Sequence, residues 1–268
     1  MASLGIAMGT WLRKAYSCER GERMVAVLQA IFFDLYETLI TEFDPDWTPS
    51  PSTADQLGVD AALFEREWQA RHAQRMAGIY PDFASVLRDI CHAIGRPADD
   101  AVIRSLGAQR LALKAAPFAS VDGAVLEALH DIRRMGVRIG VISNCAPEEV
   151  AAWAASALPA CCDDAVFSCQ VGCAKPGADI YRLACRRLGV APNDAVFVGD
   201  GGSDELDGAA GVGMAAYQAT WFLNRWPAWR RAGPIYERAS AYPRLRAPAD
   251  LRALVAAQRR SDGSGAPH

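Results

Sequence analysis

The sequence predicts an α/β protein in which a doubly wound parallel sheet carries an inserted all-helical cap. Three observations support this prediction. Short apolar runs alternate with amphipathic helical patterns, several of these runs end at a polar residue, and one long stretch after the first run carries helical patterns only. Strands and helices that alternate in this way form a parallel sheet covered by helices on both faces.

Five short apolar runs are the predicted strands. They cover residues 28–33, 137–142, 165–167, 195–199 and 214–217. Apolar spacing predicts one helix from Val125 to about Arg133 and another from Ile180 to Leu188. Gly136 and Gly189 follow these helices, and glycine is common just past a helix end.

Residues 42–116 carry helical patterns only and are the predicted cap. Apolar side chains recur there at three- and four-residue spacing around Phe64, Leu87 and Leu106. Residues 44–51 are the predicted entry linker and residues 115–118 the exit. We expect hinges over 41–51 and 115–120, about which the cap closes as a lid.

The remaining segments complete the predicted organisation. Residues 1–24 are an N-terminal extension without the features of a secretory signal, which favours a cytoplasmic location. Residues 25–41 and 117–257 form the core domain, and the polar residues 258–268 form a disordered tail.

Composition narrows the possible partners. The 268 residues include 28 Lys plus Arg and 31 Asp plus Glu, a net charge of -3, which gives no long-range attraction for nucleic acid or an anionic membrane surface. No apolar run approaches the roughly 20 residues that span a bilayer. The eight cysteines show no disulfide framework, and Cys161 and Cys162 are adjacent and poorly placed to bind zinc together. A small-molecule substrate remains as the expected partner, with a homodimer possible.

Polar residues follow the predicted strand ends. They are Asp34 and Thr38 after the first strand, Ser143 and Asn144 after the second, Lys175 in the loop after the third, and Asp200 and Asp204 after the fourth. Ligands of open parallel sheets bind outside the carboxyl ends of the strands. Carboxylates together with a lysine and hydroxyls suit magnesium and a phosphoryl group, because hard oxygens bind the cation and the lysine offsets substrate charge.

These residues resemble, in order and spacing, the four motifs of the haloacid dehalogenase superfamily of hydrolases. The motifs are Phe33-Asp34-Leu35-Tyr36-Glu37-Thr38-Leu39, Ile142-Ser143-Asn144, Lys175-Pro176 and Gly199-Asp200-Gly201-Gly202-Ser203-Asp204. The resemblance covers residues 28–217. It implies a Rossmann-like core with a mobile helical cap and, in most members, hydrolysis of a phosphate ester.

The resemblance also implies roles for the motif residues. Asp34 would be the nucleophile that forms an aspartyl-phosphate. Thr38 and Ser143, with the backbone near Asn144, would hold the transferring group, and Lys175 would shield its charge.

A magnesium ion belongs to the same implied site. Its ligands would be Asp34, Asp200, Asp204 and the main-chain carbonyl of Tyr36. Mg²⁺ is the cofactor that this donor set predicts.

Tyr36 departs from the phosphatase pattern. Phosphatases of the superfamily normally carry an aspartate two residues after the nucleophile as acid and base, and a phenol with a pKa of about 10 is a poor base at neutral pH. Tyr36 and Tyr181 resemble the dehalogenase branch, which uses no metal, whereas Asp200 and Asp204 fit a metal site. Glu37 is the nearest spare carboxylate, although a solvated or structural role is expected for it.

Three functions stay open at this point. The first is a magnesium-dependent phosphatase for a small phosphate monoester, the second is a metal-free 2-haloacid dehalogenase-like hydrolase, and the third is a catalytically weak protein that binds a ligand or partner.

Cap residues that could contact substrate are Arg66, Trp68, Arg71, Arg75 and Tyr80. Cys145 is expected to be a buried thiol. The aromatic segment containing Trp221, Phe222, Trp226 and Trp229 is expected to pack on the core or form an interface.

Overall fold

A six-stranded sheet runs through the computed structural model, which describes residues 28–46, 48, 50–228, 239 and 241–260. The strands are β1 (Ala30–Phe33), β2 (Arg138–Ser143), β3 (Asp164–Phe167), β4 (Ala195–Gly199), β5 (Ala215–Ala219) and β6 (Arg244–Leu245). Their order is β3-β2-β1-β4-β5-β6, and every neighbouring pair is parallel. The predicted α/β class with a parallel sheet is confirmed.

The five predicted strands are present as β1 to β5, with ends that differ by one or two residues from the prediction. The sixth strand, β6, has only two residues, which is too short for a period-two pattern to be visible in a sequence.

Helices form the insert and the layers beside the sheet. In the insert they are α1 (Thr53–Leu57), α2 (Ala61–Ala70), α3 (His72–Met76), α4 (Phe83–Ala93) and α5 (Asp100–Ala119). The later helices are α6 (Gly123–Arg134), α7 (Leu158–Cys161), α8 (Ser168–Val171), α9 (Ala178–Leu188), α10 (Glu205–Gly211) and α11 (Asp250–Arg260). None of the described helices is long and apolar enough to cross a membrane.

Two apolar layers enclose the sheet. Successive side chains of a strand point to opposite faces, so Ile31 of β1 packs in one layer and Phe32 in the other. Leu129 of α6 belongs to the first layer, and Ile180 of α9 belongs to the second. The strands therefore have an apolar run rather than an alternating pattern because both faces are covered.

The insert has an apolar cluster of its own. Phe64, Leu87 and Ile103 come from α2, α4 and α5 and are buried against one another. Aspartates cap the N-termini of these three helices, because the carboxylates of Asp60, Asp82 and Asp99 accept backbone N–H groups.

The predicted exit linker of the insert is wrong. Helix α5 continues through residues 115–118 to Ala119, with Pro117 inside its last turns. Proline removes one intrahelical hydrogen bond there, while the surrounding alanines have the strongest helix propensity. The described residues of 41–51 lie in no helix or strand, so the entry side is an irregular connection as predicted. On the exit side only residues 120–122 are irregular, between the end of α5 and the start of α6, so most of the predicted hinge over 115–120 is helical.

The C-terminal boundary also differs from the prediction. Helix α11 extends to Arg260, so residues 258–260 are helical rather than disordered. Gln and Arg are good helix formers, which explains the extension. The rest of the predicted tail, residues 261–268, and the N-terminal extension lie outside the described residues.

Candidate active site

Three neighbouring strands end at the candidate site. Asp34 directly follows β1, Asn144 follows β2, and Asp200 follows β4. β1 lies between β2 and β4 in the sheet, and all three run in the same direction, so these residues share the carboxyl edge where ligands bind. The backbone N–H of Asp34 donates to the carbonyl of Val198 at 2.9 Å and continues the ladder one residue past β1.

Lys175 joins two buried carboxylates at this edge. Its Nζ lies 2.5 Å from Oδ1 of Asp34 and also donates to Oε2 of Glu205. Oxygen atoms of Asp34, Asp200 and Glu205 all lie within 4.8 Å of one another, and all three residues are buried. The structure thus brings together Asp34, Lys175 and Asp200 as predicted, but the third acid of this group is Glu205.

Glu205 was missed by sequence reasoning, and Asp204 was named as the metal ligand instead. Ser203 and Asp204 adopt left-handed backbone angles, with φ of 55° and 51°, and Glu205 then begins α10. The Gly201 N–H donates to Oε1 of Glu205 at 3.1 Å. A Cβ at Gly199 would lie 2.1 Å from that oxygen, so glycine is needed there. The adjacent acids at 204 and 205 were the available signal, but spacing alone does not choose between them.

Charge in the cluster is unbalanced. Burial, followed by the nearby charge of Asp34, raises the pKa of Asp200 to about 6. The same two causes raise the pKa of Glu205 well above its usual range. Burial alone would lower the pKa of Lys175, but the charges of Asp34 and Glu205 outweigh it and raise that pKa. A charged lysine therefore faces three carboxyl groups, and like charges at this distance favour either a bound proton or a cation.

Asn144 and Tyr181 support the two partners of this ion pair. The Asn144 amide donates from Nδ2 to the Lys175 carbonyl at 2.8 Å and accepts the Lys175 N–H at 2.8 Å. Tyr181 donates its hydroxyl to the Glu205 carbonyl at 2.7 Å. The Asn144 side chain is thus occupied in positioning Lys175, whereas the predicted contact with substrate involves the backbone near Asn144.

The two predicted hydroxyl ligands are buried at the same strand ends. Ser143 is the last residue of β2 and is 1% exposed. Thr38 is fully buried, and its Oγ1 has no hydrogen-bond partner in the part of the chain that the structure describes. A buried hydroxyl without a partner is uncommon in a native protein and is the arrangement that a ligand would complete.

The Tyr36 hydroxyl is held by the main chain. It donates to the Glu149 carbonyl at 2.6 Å, and the ring meets the edge of Phe118 at a centroid distance of 6.4 Å. Burial, followed by the charge of Glu149, raises the pKa of Tyr36 above its usual value. Tyr36 is therefore a donor fixed to a carbonyl and is poorly suited to act as a base.

Glu37 has a structural role, as expected. Its backbone is left-handed, with φ of 55°. One carboxylate oxygen accepts from Thr41 Oγ1 and from the Trp226 indole N–H, both at 2.7 Å, and the other accepts the Glu42 N–H at 2.9 Å. The loop after β1 is thus tied to itself and to Trp226.

The aromatic segment after β5 packs on the core, in keeping with one of its two predicted roles. The Trp221 indole donates to the Thr38 carbonyl at 2.9 Å, and the Trp226 ring meets Phe43 at 5.3 Å. Trp229 lies outside the described residues.

The five candidate cap residues divide into two groups. The Arg66 side chain is 67% exposed, and both Arg71 and Tyr80 bind Asp89 at 2.6 Å. Trp68 and Arg75 remain, with the Arg75 guanidinium stacked 3.5 Å from the Trp68 ring centroid.

Arg75 is a buried cation that meets no carboxylate among the described residues, and its Nη2 donates to the Trp68 carbonyl at 3.4 Å. It is 5% exposed, its Nε has no hydrogen-bond partner, and no ion pair within 4.0 Å involves it among the residues described. Burial lowers its pKa, and Arg110 acts in the same direction, while Glu149 opposes them. Arg75 therefore shares its surroundings with charges of both the cap and the core.

Ion pairs connect α5 of the cap to the segment after β2. Arg110 binds Glu148 at 3.3 Å and Glu149 at 2.7 Å. Lys114 binds Glu149 at 3.2 Å and Glu42 at 2.5 Å. The cap thus meets the core beside the residues that hold Tyr36.

Comparison with known proteins identifies the class of protein. A model of the haloacid dehalogenase-like hydrolases matches residues 28–213. The chain belongs to this family of hydrolases, as the four motifs predicted.

The chain is similar to both dehalogenases and phosphatases of this family, as three examples show. The chain is 28% identical to (S)-2-haloacid dehalogenase 4A of Burkholderia cepacia over 71% of this chain and 82% of the relative. It is 33% identical to a glyceraldehyde 3-phosphate phosphatase of Methanopyrus kandleri over 34% of this chain and 39% of the relative. The structure of an L-2-haloacid dehalogenase of Xanthobacter autotrophicus with covalently bound chloropropionic acid matches with a TM-score of 0.54 and 20% identity, over 86% of this chain and 99% of that one. The last likeness shows the fold alone.

Proposed function

We propose that this hydrolase is a magnesium-dependent phosphatase of small phosphate monoesters. The observation that carries the proposal is the buried cluster of Asp34, Asp200 and Glu205 with one lysine. Burial, followed by repulsion from the charge of Asp34, raises the pKa values of two acids of this cluster, Asp200 and Glu205. A divalent cation relieves that repulsion, and Mg²⁺ prefers carboxylate oxygens. The donor set therefore fits the ion.

Asp34, Asp200 and Glu205 would hold Mg²⁺. When bound, the ion would offset the charge of the phosphoryl group. Lys175 holds one Asp34 oxygen and leaves the other for attack on phosphorus. Thr38, whose hydroxyl lacks a partner, would donate to a phosphoryl oxygen.

The reaction would proceed in two displacements at phosphorus. The Asp34 carboxylate attacks phosphorus, the P–O bond to the alcohol part of the substrate breaks, and the leaving alkoxide takes up a proton from water. Water then attacks the aspartyl-phosphate, loses a proton, and releases phosphate and free Asp34. Tyr36 cannot readily accept that proton, because its hydroxyl is bound to Glu149 and its pKa is raised. The second displacement is therefore the slow one.

The cap adds support for an anionic substrate. Arg75 is buried, and it forms no ion pair with a carboxylate in the described part of the chain. A buried charge without a partner costs several kcal/mol. An anionic group that enters beneath the cap would pair with it. Phosphate monoesters satisfy this condition, and so do 2-haloacids.

Dehalogenation is the second candidate, and two observations favour it. The relative matched over 82% of its length is a 2-haloacid dehalogenase, and Tyr36 stands where phosphatases carry an aspartate. In this reaction Asp34 would attack carbon, the carbon–halogen bond would break, halide would leave, and water would hydrolyse the ester. Asp200 and Glu205 oppose this function unless they are protonated, since they would repel the substrate carboxylate.

A paired assay separates the candidates. The purified protein is incubated with p-nitrophenyl phosphate and other phosphate monoesters, and separately with (S)-2-chloropropionate, each with Mg²⁺ or with EDTA. We expect phosphate release that requires Mg²⁺ and is lost in Asp34→Asn. Chloride release that EDTA does not affect would overturn the proposal in favour of dehalogenation. Binding of a phosphate mimic without turnover of any substrate would indicate the weak, ligand-binding alternative.

A further inference from the structure

Two cysteine thiols face each other beside the second motif. Ser143 of β2 pairs with Phe167 of β3 in the parallel ladder. Cys145 and Cys169 lie two residues beyond these partners, and their Sγ atoms are 3.8 Å apart. Among the described residues, no other two cysteines have thiols in hydrogen-bonding contact.

We propose that Cys145 and Cys169 are a peroxide-oxidisable dithiol, and that its closure to a disulfide displaces the motif loop and slows hydrolysis. The modification site stands on geometry alone, whereas the effect on turnover rests on the proposed function.

The surroundings keep the two cysteines together. The Ser168 hydroxyl accepts the Cys145 N–H at 3.0 Å and donates to the Cys145 carbonyl at 3.3 Å. This double contact holds the Cys145 backbone next to the residue that precedes Cys169. A disulfide requires neighbouring backbones, because its Cα atoms are usually about 4.4 to 6.8 Å apart.

The two thiols differ in reactivity. Cys145 is fully buried, while Cys169 is partly exposed. The hydrogen bond between them lowers the pKa of Cys169 and raises that of Cys145. The thiolate is the reactive form, so Cys169 is the sulfur that peroxide would reach and oxidise first.

The chemistry needs hydrogen peroxide as its only co-reactant. The Cys169 sulfur attacks one peroxide oxygen, the O–O bond breaks, and a sulfenic acid and one water form. The Cys145 sulfur then attacks the Cys169 sulfur, the S–O bond breaks, and a second water leaves. In total two thiols lose two hydrogens and two electrons, and one peroxide is reduced to two waters.

Formation of the disulfide would affect the ion pair between Lys175 and Asp34 through Asn144. The sulfurs must move from 3.8 Å to about 2.05 Å apart. Cys145 is bonded to Asn144, whose amide holds the main chain of Lys175 by two hydrogen bonds of 2.8 Å. On the other side, the Cys169 carbonyl lies against Gly78 of the cap. Movement of Cys145 therefore disturbs the hydrogen bonds between Asn144 and Lys175, and movement of Cys169 disturbs the contact between the core and Gly78 of the cap.

The test uses the full chain with hydrogen peroxide. After oxidation and blocking of free thiols, peptide mapping without reductant should show Cys145 linked to Cys169. Turnover of p-nitrophenyl phosphate with Mg²⁺ should fall at least tenfold and recover with dithiothreitol. Cys169→Ser and Cys145→Ser should each lose less than half of their own turnover under the same treatment. The matched control Cys173→Ser, which is also partly buried, should respond as wild type does.

Three results would overturn the proposal. If peptide mapping finds no link between the two cysteines, the modification site is wrong. If the link forms and turnover is unchanged, the switch is wrong. If the reduced protein has no phosphatase turnover, the proposed function fails, and peptide mapping alone then tests the modification site. Hydrogen exchange of the peptides that contain Asn144 and Lys175 then tests whether disulfide closure displaces the loop. Unchanged exchange would overturn the claim of loop displacement.

Discussion

Lys175 holds the predicted nucleophile Asp34 with Nζ 2.5 Å from Oδ1, although the two residues are 141 positions apart in the chain. The same ammonium donates to Glu205. One cation thus fixes the orientation of the reacting carboxylate and partly neutralises a second acid. Substitutions of the two acids that follow β4, Asp200 and Glu205, are therefore the first tests of the site.

Glu205→Gln should weaken Mg²⁺ binding at least tenfold. The amide keeps the size of the side chain but removes one charge from the buried group of three carboxylates, and cation affinity depends on ligand charge. Titration of Mg²⁺ by calorimetry measures the change. Asp204→Asn is the matched control, and it should alter affinity less than threefold. A larger effect of Asp204→Asn than of Glu205→Gln would restore Asp204 as the ligand.

Asp200→Asn should stabilise the metal-free protein as pH rises. Burial and the charge of Asp34 raise the pKa of Asp200 from 3.8, its ordinary value in an unfolded chain, to about 6 in the folded protein. Its contribution to stability is therefore complete below about pH 4 and is lost as pH rises through 6. The Asn variant does not lose stability in this pH range. Its free energy of unfolding should therefore exceed that of wild type by an amount that grows with pH to about 3 kcal/mol at most by pH 7.

Urea unfolding in EDTA at several pH values checks this prediction. Saturating Mg²⁺ should reverse the order of stability, because only wild type keeps the full ligand set. An advantage of Asp200→Asn that does not change between pH 4 and 7 would show that Asp200 does not titrate in this range.

Tyr36→Asp should accelerate phosphate release. A carboxylate at this position can accept a proton from water, and a general base contributes on the order of 10² to 10⁴ in rate. In wild type the aspartyl-phosphate should accumulate when the leaving group is good, which trapping of acid-quenched enzyme detects. Tyr36→Phe is the matched control: it removes only the hydrogen bond to Glu149 and should leave the rate of release within about threefold. Slower release by a folded Tyr36→Asp protein would contradict the assignment.

Gly78→Ala should loosen the cap from the core. Gly78 has φ of 71°, and a Cβ there would lie 1.9 Å from the Cys169 carbonyl oxygen. Gly95 has φ of 72° but nothing within 4 Å of its Cβ position, so Gly95→Ala reports the backbone cost alone, about 1 to 2 kcal/mol. We expect a larger loss for Gly78→Ala in unfolding, together with faster proteolysis between cap and core. Equal losses for the two variants would mean that this contact does not hold the cap.

Arg75→Met should separate stability from substrate binding. Replacing an unpaired buried cation with an apolar side chain is expected to leave stability unchanged or increase it. The KM for an anionic substrate should rise about 10- to 100-fold, as the loss of a charged hydrogen bond predicts. Arg71→Met is the control, because Arg71 binds Glu67 and Asp89; it should lose stability with little change in KM. If Arg75→Met destabilises the protein and leaves KM unchanged, Arg75 is structural.

The sequence by itself determined the class of fold and most of the site. Buried strands and amphipathic helices leave local periodic patterns, and the polar residues at strand ends follow directly from those patterns. Asp34 and Asp200 were predicted in this way, and Lys175 was predicted from the loop after the third strand and the family resemblance; the structure places all three at one edge. Parallel strands bring their carboxyl ends to the same edge, so the order of motifs along the chain was sufficient.

The tertiary structure decided the rest, because the deciding contacts join distant parts of the chain. Glu205 rather than Asp204 joins the cluster because its carboxylate meets Lys175, 30 positions away, in space that Gly199 leaves open. Asn144 holds Lys175 across 31 positions, and the Tyr36 hydroxyl binds a carbonyl 113 positions away. Local patterns specify which residues end each strand, but side-chain partners depend on packing between elements, which no local spacing encodes.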